Sequence, residues 1–433
     1  MNYQEALDFL HDLCKFGINL GLERIELLLR LLGEPQKKIK TIHIAGTNGK
    51  GSTTAIIASI LQEAKLKVGV YTSPHLHSYS ERIRINGTDI EDNDFAREME
   101  KIKNIVPQVL KVTGENPTEF EILTALAFNY FSQQQVDIAV IEVGMGGRLD
   151  STNVILPEVS VLTSISKDHT DYLGNTIEAI AREKAGIIKH KRPVVSAYQD
   201  AGAEEVIKQT CRELDCPVFF IKEYSFNPQS YNSQGQVFHL NTDRDYYSSL
   251  HLALLGDHQI ENAIVAIKTI ETLQSQGWKI EKEQIYSGIR KVKWPGRLEY
   301  HQFKTQVLFD GAHNPEGARS LSQAIPKYFN YRKLIFVLGV LGDKDKQEII
   351  RLLGPLGDVF VVTKPPNQRA GDWESLINLL EPLEKEIITV EDYHQAIDKA
   401  FSLGEKDDLL CITGSLYLLG ESREYVLKKF SCS

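Results

Sequence analysis

Residues 41–53 read "TIHIAGTNGKGST", a β-branched run followed by a glycine-rich turn and by residues that favour a helix. A turn of this kind suits a phosphate, because its backbone N–H groups and the positive end of the helix face the anion. The usual spacing is G-x-x-x-x-G-K-[ST]. Here two residues separate Gly46 from Gly49, and Gly51 stands between Lys50 and Ser52. The stretch therefore predicts a phosphate loop of unusual spacing, with a plain flexible turn as the alternative.

Apolar runs alternate with helix-period segments along most of the chain, which predicts an α/β fold with a doubly wound parallel sheet. The predicted strands are residues 41–45, 67–71, 137–143, 159–165 and 193–197, and later 305–309, 333–338, 358–363 and 409–413. Residues 222–250 break the rhythm and predict a hairpin excursion. The Pro-Gly pair at 295–296 separates the two α/β series. We therefore expect a domain at 1–295 and a smaller, Rossmann-like domain at 296–433.

The composition is ordinary for a globular protein: 433 residues, 42% hydrophobic, 25% charged and a formal net charge of −9. The negative charge argues against general nucleic-acid binding. No window approaches the ~18 consecutive apolar residues of a membrane span, and the first residues do not resemble a signal peptide. Five cysteines without a C-x-x-C pair disfavour disulfides and cysteine zinc sites. We expect a cytoplasmic monomer without nucleic-acid or membrane partners.

Polar residues follow two predicted strands of the first series, where ligands of such sheets bind. Glu142 ends one strand and offers a carboxylate for Mg²⁺; helix capping or a pair with Arg148 is the alternative. Asp168, His169 and Asp171 follow the next strand. A lone histidine is more often structural than a ligand, but the nearby Glu142 brings the two interpretations level.

The second series has a similar junction in "FDGAHNPEGARS", residues 309–320. It places Asp310, His313 and Asn314 on a predicted exposed turn, where an Asx turn and helix cap are the alternative. Arg297, in "WPGRLE", lies at the domain boundary and suits either a phosphate or a carboxylate partner.

Nine motifs in order resemble the folylpolyglutamate synthase/dihydrofolate synthase family, the folate branch of the Mur-ligase superfamily. They are "GTNGKGST", "TSPHL", "SERIRING", "TEFE", "EVGMGGRLDSTN", "SKDHTDYLG", "EKAGIIK", "WPGRLE" and "DGAHNPEG". The resemblance implies an ATP-dependent amide ligase. A folate-type carboxylate attacks the γ-phosphate of ATP, and L-glutamate then attacks the acyl phosphate. Such phosphoryl transfer between anions needs positive charge above all.

Carried over residue by residue, the resemblance implies a triphosphate cradle and further ATP contacts at Asn48, Gly49, Lys50, Gly51, Ser52, Asn262, Arg297, Asp310 and His313. It implies magnesium ligands at Ser73, Glu142 and His169, with two Mg²⁺ ions expected and a monovalent cation left open. Lys50, His169 and Lys184 would be catalytic. Lys184 matches a lysine that the family carries as a carbamate, a change from +1 to −1. From the residues alone, it is a solvated or salt-bridged lysine.

Two motifs resemble the dihydropteroate site of bifunctional members and imply a pteroate or folate site at Thr118, Glu119, Phe120, Glu121, Leu149, Asp150 and Ser151. Phe120 offers a ring face and Asp150 an acceptor for pterin N–H groups. Arg82 and Arg84 suit an anion, although an exposed basic loop explains them equally. The expected substrates are dihydropteroate or a reduced folate, with L-glutamate and ATP.

Two alternatives remain. A peptidoglycan-precursor ligase of the same superfamily would carry an extra domain before the phosphate loop, whereas about 40 residues precede it here, and its loop tends to read G-K-T-T. A nucleotide-binding switch would turn over or hold nucleotide without folate or glutamate.

Overall fold

The computed structural model describes residues 1–14, 19–167 and 173–430. The chain forms two compact units. The N-terminal unit comprises Met1–Asn227, Phe238–Leu250 and Gln259–Val292. The C-terminal unit comprises Pro228–Val237, His251–His258 and Lys293–Ser433.

The N-terminal unit contains eight strands: β1 (Thr41–Ala45), β2 (Val68–Tyr71), β3 (Ile83–Ile85), β4 (Thr88–Asp89), β5 (Ile138–Glu142), β6 (Val159–Leu162), β7 (Val194–Ser196) and β8 (Val218–Phe220). They form one sheet in the order β4-β3-β2-β5-β1-β6-β7-β8. The six strands from β2 to β8 in this order run parallel, while β3 and β4 pair antiparallel. Every residue of β1, β5 and β6 is buried, as expected of central parallel strands.

Helices that begin in this part of the chain are α1 (Tyr3–Cys14), α2 (Glu23–Leu31), α3 (Lys50–Glu63), α4 (Asp92–Thr113), α5 (Glu119–Gln133), α6 (Ile177–Ala185), α7 (Ala201–Glu213), α8 (Asp257–Ser275) and α9 (Lys282–Lys291). Ile141 of β5 and Phe128 of α5 belong to one buried apolar cluster. Leu162 of β6 and Ile180 of α6 belong to another. Helices therefore stabilise the strands by burying their apolar side chains.

The predicted excursion at 222–250 is a small sheet of three strands, one more than a hairpin has. They are β9 (Ser225–Asn232), β10 (Gly235–Asn241) and β11 (Tyr246–Leu252), in the order β11-β10-β9. Strand β10 alternates half-buried and buried residues, as one face of an antiparallel sheet does when it is covered.

The C-terminal unit contains β12 (Glu299–Gln302), β13 (Gln306–Phe309), β14 (Leu334–Leu338), β15 (Val359–Val362), β16 (Glu386–Thr389) and β17 (Leu409–Thr413). Their order is β12-β13-β17-β14-β15-β16, and only the β12–β13 pair in this sheet is antiparallel among the described strands. Its helices are α10 (Pro315–Tyr328), α11 (Lys346–Leu353), α12 (Ser375–Leu380), α13 (Tyr393–Leu403) and α14 (Leu416–Phe430). Short 3-10 turns occur at Pro35–Lys37, Tyr79–Arg82, Ile221–Glu223, Gln368–Ala370 and Glu381–Leu383.

The predicted fold class, a large doubly wound unit followed by a smaller α/β unit, is confirmed. The helix after the glycine turn begins at Lys50, two residues before the predicted start. Within the described part of the chain, no helix is both long and apolar enough to cross a membrane.

Candidate active site

The glycine turn between β1 and α3 needs glycine at two positions. Gly46 has φ +153°, and a Cβ there would lie 1.8 Å from Oγ1 of Thr163. Gly49, the N-cap of α3, has φ +86°, and a Cβ there would lie 2.3 Å from Oδ1 of Asn262. Asn48 and Gly51, on either side of this cap, are both half-buried. The backbone of the turn is therefore fixed by close neighbours and remains partly accessible to an anion.

Lys50 and Thr47 each fix the turn through two hydrogen bonds. Lys50 folds back, so that its Nζ donates to the carbonyl oxygens of Gly46 at 3.1 Å and Thr47 at 3.0 Å. Thr47 donates its N–H to Ser164 O at 2.8 Å and its Oγ1 hydroxyl to Ser166 O at 3.0 Å. The Lys50 ammonium therefore lies at the turn, in position to offer a full charge to a phosphate.

Lys184 is buried against the same turn. It lies in the last turn of α6, is 4% exposed, and its Nζ donates to Gly46 O at 2.8 Å. The interpretation of Lys184 as a solvated lysine is therefore wrong. A carbamate would retain one N–H on this nitrogen, so the bond to Gly46 is compatible with the modification that the resemblance implies.

Ser52, an expected contact of the triphosphate, connects α3 to α8 by a hydrogen bond. Its Oγ, on a side chain that is 5% exposed, accepts a hydrogen bond from Nε2 of Gln259 at 3.1 Å. Gln259 Oε1 in turn accepts from Nδ2 of Asn262 at 3.0 Å. The predicted ATP contact Asn262 is thus brought beside the glycine turn through Gln259, which the sequence interpretation missed.

The sheet register places Glu142 next to the glycine turn. Glu142 pairs with Ile44 across β5 and β1, and Ile141 pairs with Tyr71 of β2. The Glu142 carboxylate is 4% exposed and accepts the N–H of Ser73 at 3.3 Å. Arg148, its alternative partner, pairs with Glu183 at 3.0 Å instead.

The oxygens of Glu142 and Ser73 fit magnesium, which binds one or two protein oxygens together with phosphate oxygens and waters. In the described ranges, no group of three or more His, Cys, Asp or Glu side chains could hold a metal ion. The third predicted ligand, His169, lies outside the described residues, together with Asp168 and Asp171.

A cavity of about 390 Å³ in the N-terminal unit brings most of the predicted pteroate residues together. We call it the pteroate cavity, after the residues predicted to bind pteroate; it is lined by Asn19, Leu20, Ser73, Pro74, Arg82, Thr118, Glu119, Phe120, Gly144, Met145, Leu149, Asp150 and Ser151. Its size is in the range of small-molecule sites. The Phe120 ring packs so closely that a Cβ on Gly144 would lie 2.5 Å from its Cζ. Arg84 does not line this cavity and pairs with Asp89 at 2.7 Å.

Asp150 is fixed within the wall of the pteroate cavity. Its Oδ1 accepts from the N–H and hydroxyl of Thr152 at 3.0 and 2.5 Å, and its Oδ2 accepts the N–H of Met145 at 2.9 Å. Burial raises the pKa of the Asp150 carboxyl, while these hydrogen bonds oppose the shift. Because Thr152 donates to Asp150, the buried His43 must donate its Nε2–H to Thr152 Oγ1, at 2.8 Å. A pterin N–H would therefore share an already hydrogen-bonded carboxylate.

Glu121 lies behind the pteroate cavity and not in its wall. It is 1% exposed and accepts from the N–H and hydroxyl of Thr118 at 2.7 and 2.9 Å. Arg24 of α2 donates its Nε to both Glu121 oxygens at 3.1 Å. The same guanidinium donates to Glu115 and to the carbonyl of Asn19, both at 2.6 Å. Arg24 was not predicted, because the only sign of its buried charge in the sequence is its place on the apolar face of α2.

In the C-terminal unit, the predicted residues Arg297, Asp310 and His313 lie around the end of β13. Asp310 is buried, contrary to the predicted exposure, and accepts N–H groups of Leu298 and Ala312, both at 2.9 Å. Burial raises the pKa of the Asp310 carboxyl, and the Arg297 charge opposes the shift.

Two local contacts complete this region of the C-terminal unit. Nδ1 of His313 lies 2.7 Å from Gly311 O, and a Cβ on Gly311 would lie 2.5 Å from Nη1 of Arg297. Asn314 caps α10 by accepting the N–H of Gly317 at 2.8 Å, which confirms the Asx-type cap. This unit therefore presents one guanidinium and one imidazole at a strand end.

Comparison with known proteins gives matches over the whole chain. Residues 44–270 match the Mur ligase middle domain, and residues 296–416 match the Mur ligase glutamate ligase domain. The dihydrofolate synthase/folylpolyglutamate synthase of Bacillus subtilis is 38% identical over 98% of this chain and 98% of its own.

Solved structures agree with the sequence relatives. The Mycobacterium tuberculosis folylpolyglutamate synthase complexed with ADP and AMPPCP superposes with a TM-score of 0.89 at 36% identity, covering 98% of each chain. An Escherichia coli protein in complex with DHPP and ADP superposes with a TM-score of 0.88 at 29% identity, covering 99% of this chain and 98% of that one. With both domain matches and a 38% identical relative covered over 98% of its own length, the chain belongs to the folylpolyglutamate synthase/dihydrofolate synthase family, the folate branch of the ATP-dependent Mur ligases.

Proposed function

We propose that this enzyme uses ATP to join L-glutamate to the carboxylate of dihydropteroate and of a reduced folate. One observation carries the proposal: Ser73 lines the pteroate cavity and donates its N–H to Glu142, which lies beside the glycine turn. A carboxylate reaching out of the cavity therefore comes to the strand ends where the phosphate loop begins.

In the first step, a carboxylate oxygen of the pteroyl substrate attacks the γ-phosphorus of ATP. The bond to the β,γ-bridging oxygen breaks, ADP leaves, and an acyl phosphate forms. Lys50, the α3 N-terminus and the N–H groups of Gly49 and Gly51 stabilise the charge that develops on the phosphate oxygens. Glu142 and Ser73 would hold magnesium, which supplies further positive charge at the phosphates.

In the second step, the glutamate amine attacks the acyl carbon, and the tetrahedral intermediate releases phosphate with loss of a proton from nitrogen. Asn48, Ser52, Asn262, Arg297, Asp310 and His313 are proposed ATP contacts. His169 is a proposed magnesium ligand and, with Lys50 and Lys184, a proposed catalytic residue. A carbamate on Lys184, a second Mg²⁺ ion and a monovalent cation also remain proposals.

The pteroate cavity supports the dihydrofolate synthase activity in addition to glutamate extension. Thr118, Phe120, Leu149, Asp150 and Ser151 all line it, as the proposal requires of a pterin-binding surface. Glu119 is a further wall residue, whereas Glu121 is proposed to act from behind by capping α5. The name of the Bacillus subtilis relative includes both activities. We also propose domains at 1–295 and 296–433 and a cytoplasmic monomer.

The proposal is tested by measuring phosphate release with ATP, dihydropteroate and glutamate, and then with each one omitted. We expect release only when all three are present, and initial rates with dihydropteroate and tetrahydrofolate compare the two activities. Lys50→Met should abolish release, whereas Lys111→Met, on the exposed side of α4, should not. Rapid phosphate release without a pteroyl substrate would favour a nucleotide switch and refute the ligase assignment.

A further inference from the structure

A second cavity in the N-terminal unit, of about 590 Å³, shares no lining residue with the pteroate cavity. We call it the basic cavity; it is lined by Glu26, Gln36, Lys37, Lys38, Ile39, Lys40, Asn153, Val154, Ile155, Leu156, Glu158, Lys189 and Arg192. Lys40 directly precedes β1, and Glu158 directly precedes β6. The cavity therefore lies at the amino-terminal edge of these parallel strands, opposite the edge that carries the glycine turn.

The lining carries more positive than negative charge. Five cationic side chains face two carboxylates, an excess of three positive charges in a chain whose formal net charge is −9. Lys40 and Arg192 both pair with Glu158, at 2.9 and 3.3 Å. Lys189 is half-buried and donates to the neutral carbonyl of Asn153 at 3.1 Å, and burial lowers the pKa of its ammonium. An anion in the cavity would lower the free energy of this partly desolvated charge.

Two buried amide oxygens of the lining accept no hydrogen bond from the described residues. Over the described part of the chain, Oε1 of Gln36 and Oδ1 of Asn153 have no partner, although the two residues are only 8% and 7% exposed. The Asn153 orientation is fixed, because Nδ2 donates to Arg148 O and Gly186 O, both at 3.0 Å. Buried acceptors without donors are unfavourable and rare in folded proteins. A ligand N–H or O–H group that reached either oxygen would remove this cost.

Surface lysines alone would indicate nothing more than a solvated face. Here two observations of different kind meet in one cavity: a half-buried ammonium and two donorless amide oxygens. We infer that the basic cavity binds a small oxyanion that also carries hydrogen-bond donors. Phosphorylated sugars and short γ-glutamyl chains share this chemistry, the first through hydroxyl groups and the second through amide N–H groups.

The site is separate from the reaction, although one segment reaches both cavities. Leu149–Ser151 line the pteroate cavity, and residues 153–156 line the basic cavity. The Asn153 N–H donates to Asp150 O at 2.8 Å within this segment. A ligand of the basic cavity should therefore bind while dihydropteroate occupies its own site.

The inference is tested by calorimetric titration of ribose 5-phosphate and of tri-γ-glutamate into the enzyme saturated with ADP, so that the phosphate turn is filled. We expect at least one probe to bind at one site per chain, more weakly at high salt. Lys189→Gln should weaken binding about tenfold, the usual loss when a charge-assisted hydrogen bond is removed. Which probe binds then identifies the source of the oxyanion.

Lys191→Gln is the matched control, because Lys191 is exposed, lies two residues away and does not line the cavity. Binding that both variants weaken equally would reflect the surface charge alone and would overturn the site. So would displacement of the probe by dihydropteroate, or failure of both probes to bind. If Lys189→Gln does not fold, Lys38→Gln replaces it, because Lys38 is exposed and lines the cavity. None of these results depends on ligase activity, so the proposed function can fail or succeed independently.

Discussion

Arg24→Met should destabilise the N-terminal unit far more than an ordinary surface substitution. Arg24 is 6% exposed, and its partner Glu121 is 1% exposed. Removing the guanidinium leaves the Glu121 carboxylate buried without its cation, which typically costs about 3–5 kcal/mol of folding free energy. The bond to Glu115 adds little, ~0–1 kcal/mol, because that side chain is 55% exposed. We therefore expect a loss near the upper range for single substitutions.

The same substitution should impair substrate binding, because Arg24 holds two parts of the pteroate cavity. It donates to the carbonyl of Asn19, a lining residue, and to Glu121, which in turn caps the helix of Thr118 and Phe120. We expect the KM for dihydropteroate to rise while the KM for ATP stays unchanged. Arg24→Lys should recover only part of both effects, because one ammonium cannot replace the planar guanidinium fork.

Urea unfolding followed by circular dichroism measures the free energy, and initial rates measure the KM values. Glu115→Gln is the control and should change stability by less than about 1 kcal/mol. The double variant Arg24→Met/Glu121→Gln removes both charges and should be more stable than Arg24→Met alone. The inferred stabilisation of buried Glu121 by Arg24 is refuted if the unfolding free energy of Arg24→Met lies within about 1 kcal/mol of the wild-type value. It is also refuted if the double variant is no more stable than Arg24→Met.

Glu142→Gln should reduce turnover by orders of magnitude with an unchanged unfolding midpoint, because the amide keeps the shape but loses the charge for magnesium. Gly49→Ala should raise the KM for ATP, since its Cβ would lie 2.3 Å from Oδ1 of Asn262 at a φ of +86°. Lys184→Ala should lose activity and recover part of it with short carboxylic acids in the assay, if a carbamate acts there. Burial lowers the pKa of His43 to about 3, from 6.5. As the pH falls, His43 is therefore protonated in the unfolded chain first, and the free energy of unfolding decreases below pH 6.5, by about 2 kcal/mol at pH 5. His43→Gln should remove this decrease, which is measured by comparing unfolding at pH 5 and pH 7.

Each of these predictions has a control or a contradicting result. Gly87→Ala has a similar φ of +79° with nothing within 4 Å of its Cβ, so it reports strain without the clash. Equal effects of the two alanines on ATP binding would discount the contact with Asn262. His190→Gln, at an exposed histidine, should leave the pH dependence intact. Near wild-type turnover of Glu142→Gln, or full activity of Lys184→Ala, would exclude the corresponding role.

The features predicted correctly from the sequence are those that local residue patterns encode, namely the buried strands and the turns that follow them. The β-branched run at Thr41–Ala45, the turn after it and the other buried strands follow from periodicity and glycine, and the structure has them within a few residues. The motifs around Thr118 and Asp150 were predicted to meet in one site, and they line one cavity. A strand end that follows an apolar run is recognisable without knowledge of the rest of the fold.

Long-range polar contacts were not predictable in this way. Arg24 and Glu121 are 97 residues apart, and neither lies in a pattern that names the other. The burial of Asp310 depends on how the turn after β13 folds over the carboxylate. This folding leaves no periodic pattern in the sequence. The same holds for Gln259, because its hydrogen bond to Ser52 forms only when the tertiary fold brings the first turn of α8 to α3. Tertiary packing, and not local propensity, decides these side chains.

The unusual spacing of the glycine turn has a physical explanation in its neighbours. Gly46 is required by Thr163, which follows β6, whereas Gly49 is required by Asn262 on α8. The Gly46 carbonyl also accepts a hydrogen bond from Lys184 of α6. Three separate parts of the fold therefore contact two glycines that lie three positions apart. A turn confined on three sides has little conformational freedom left to lose when an anion binds. If the turn binds ATP as proposed, its backbone donors are set before ATP arrives, and such preorganised donors act most effectively on charge that develops during phosphoryl transfer.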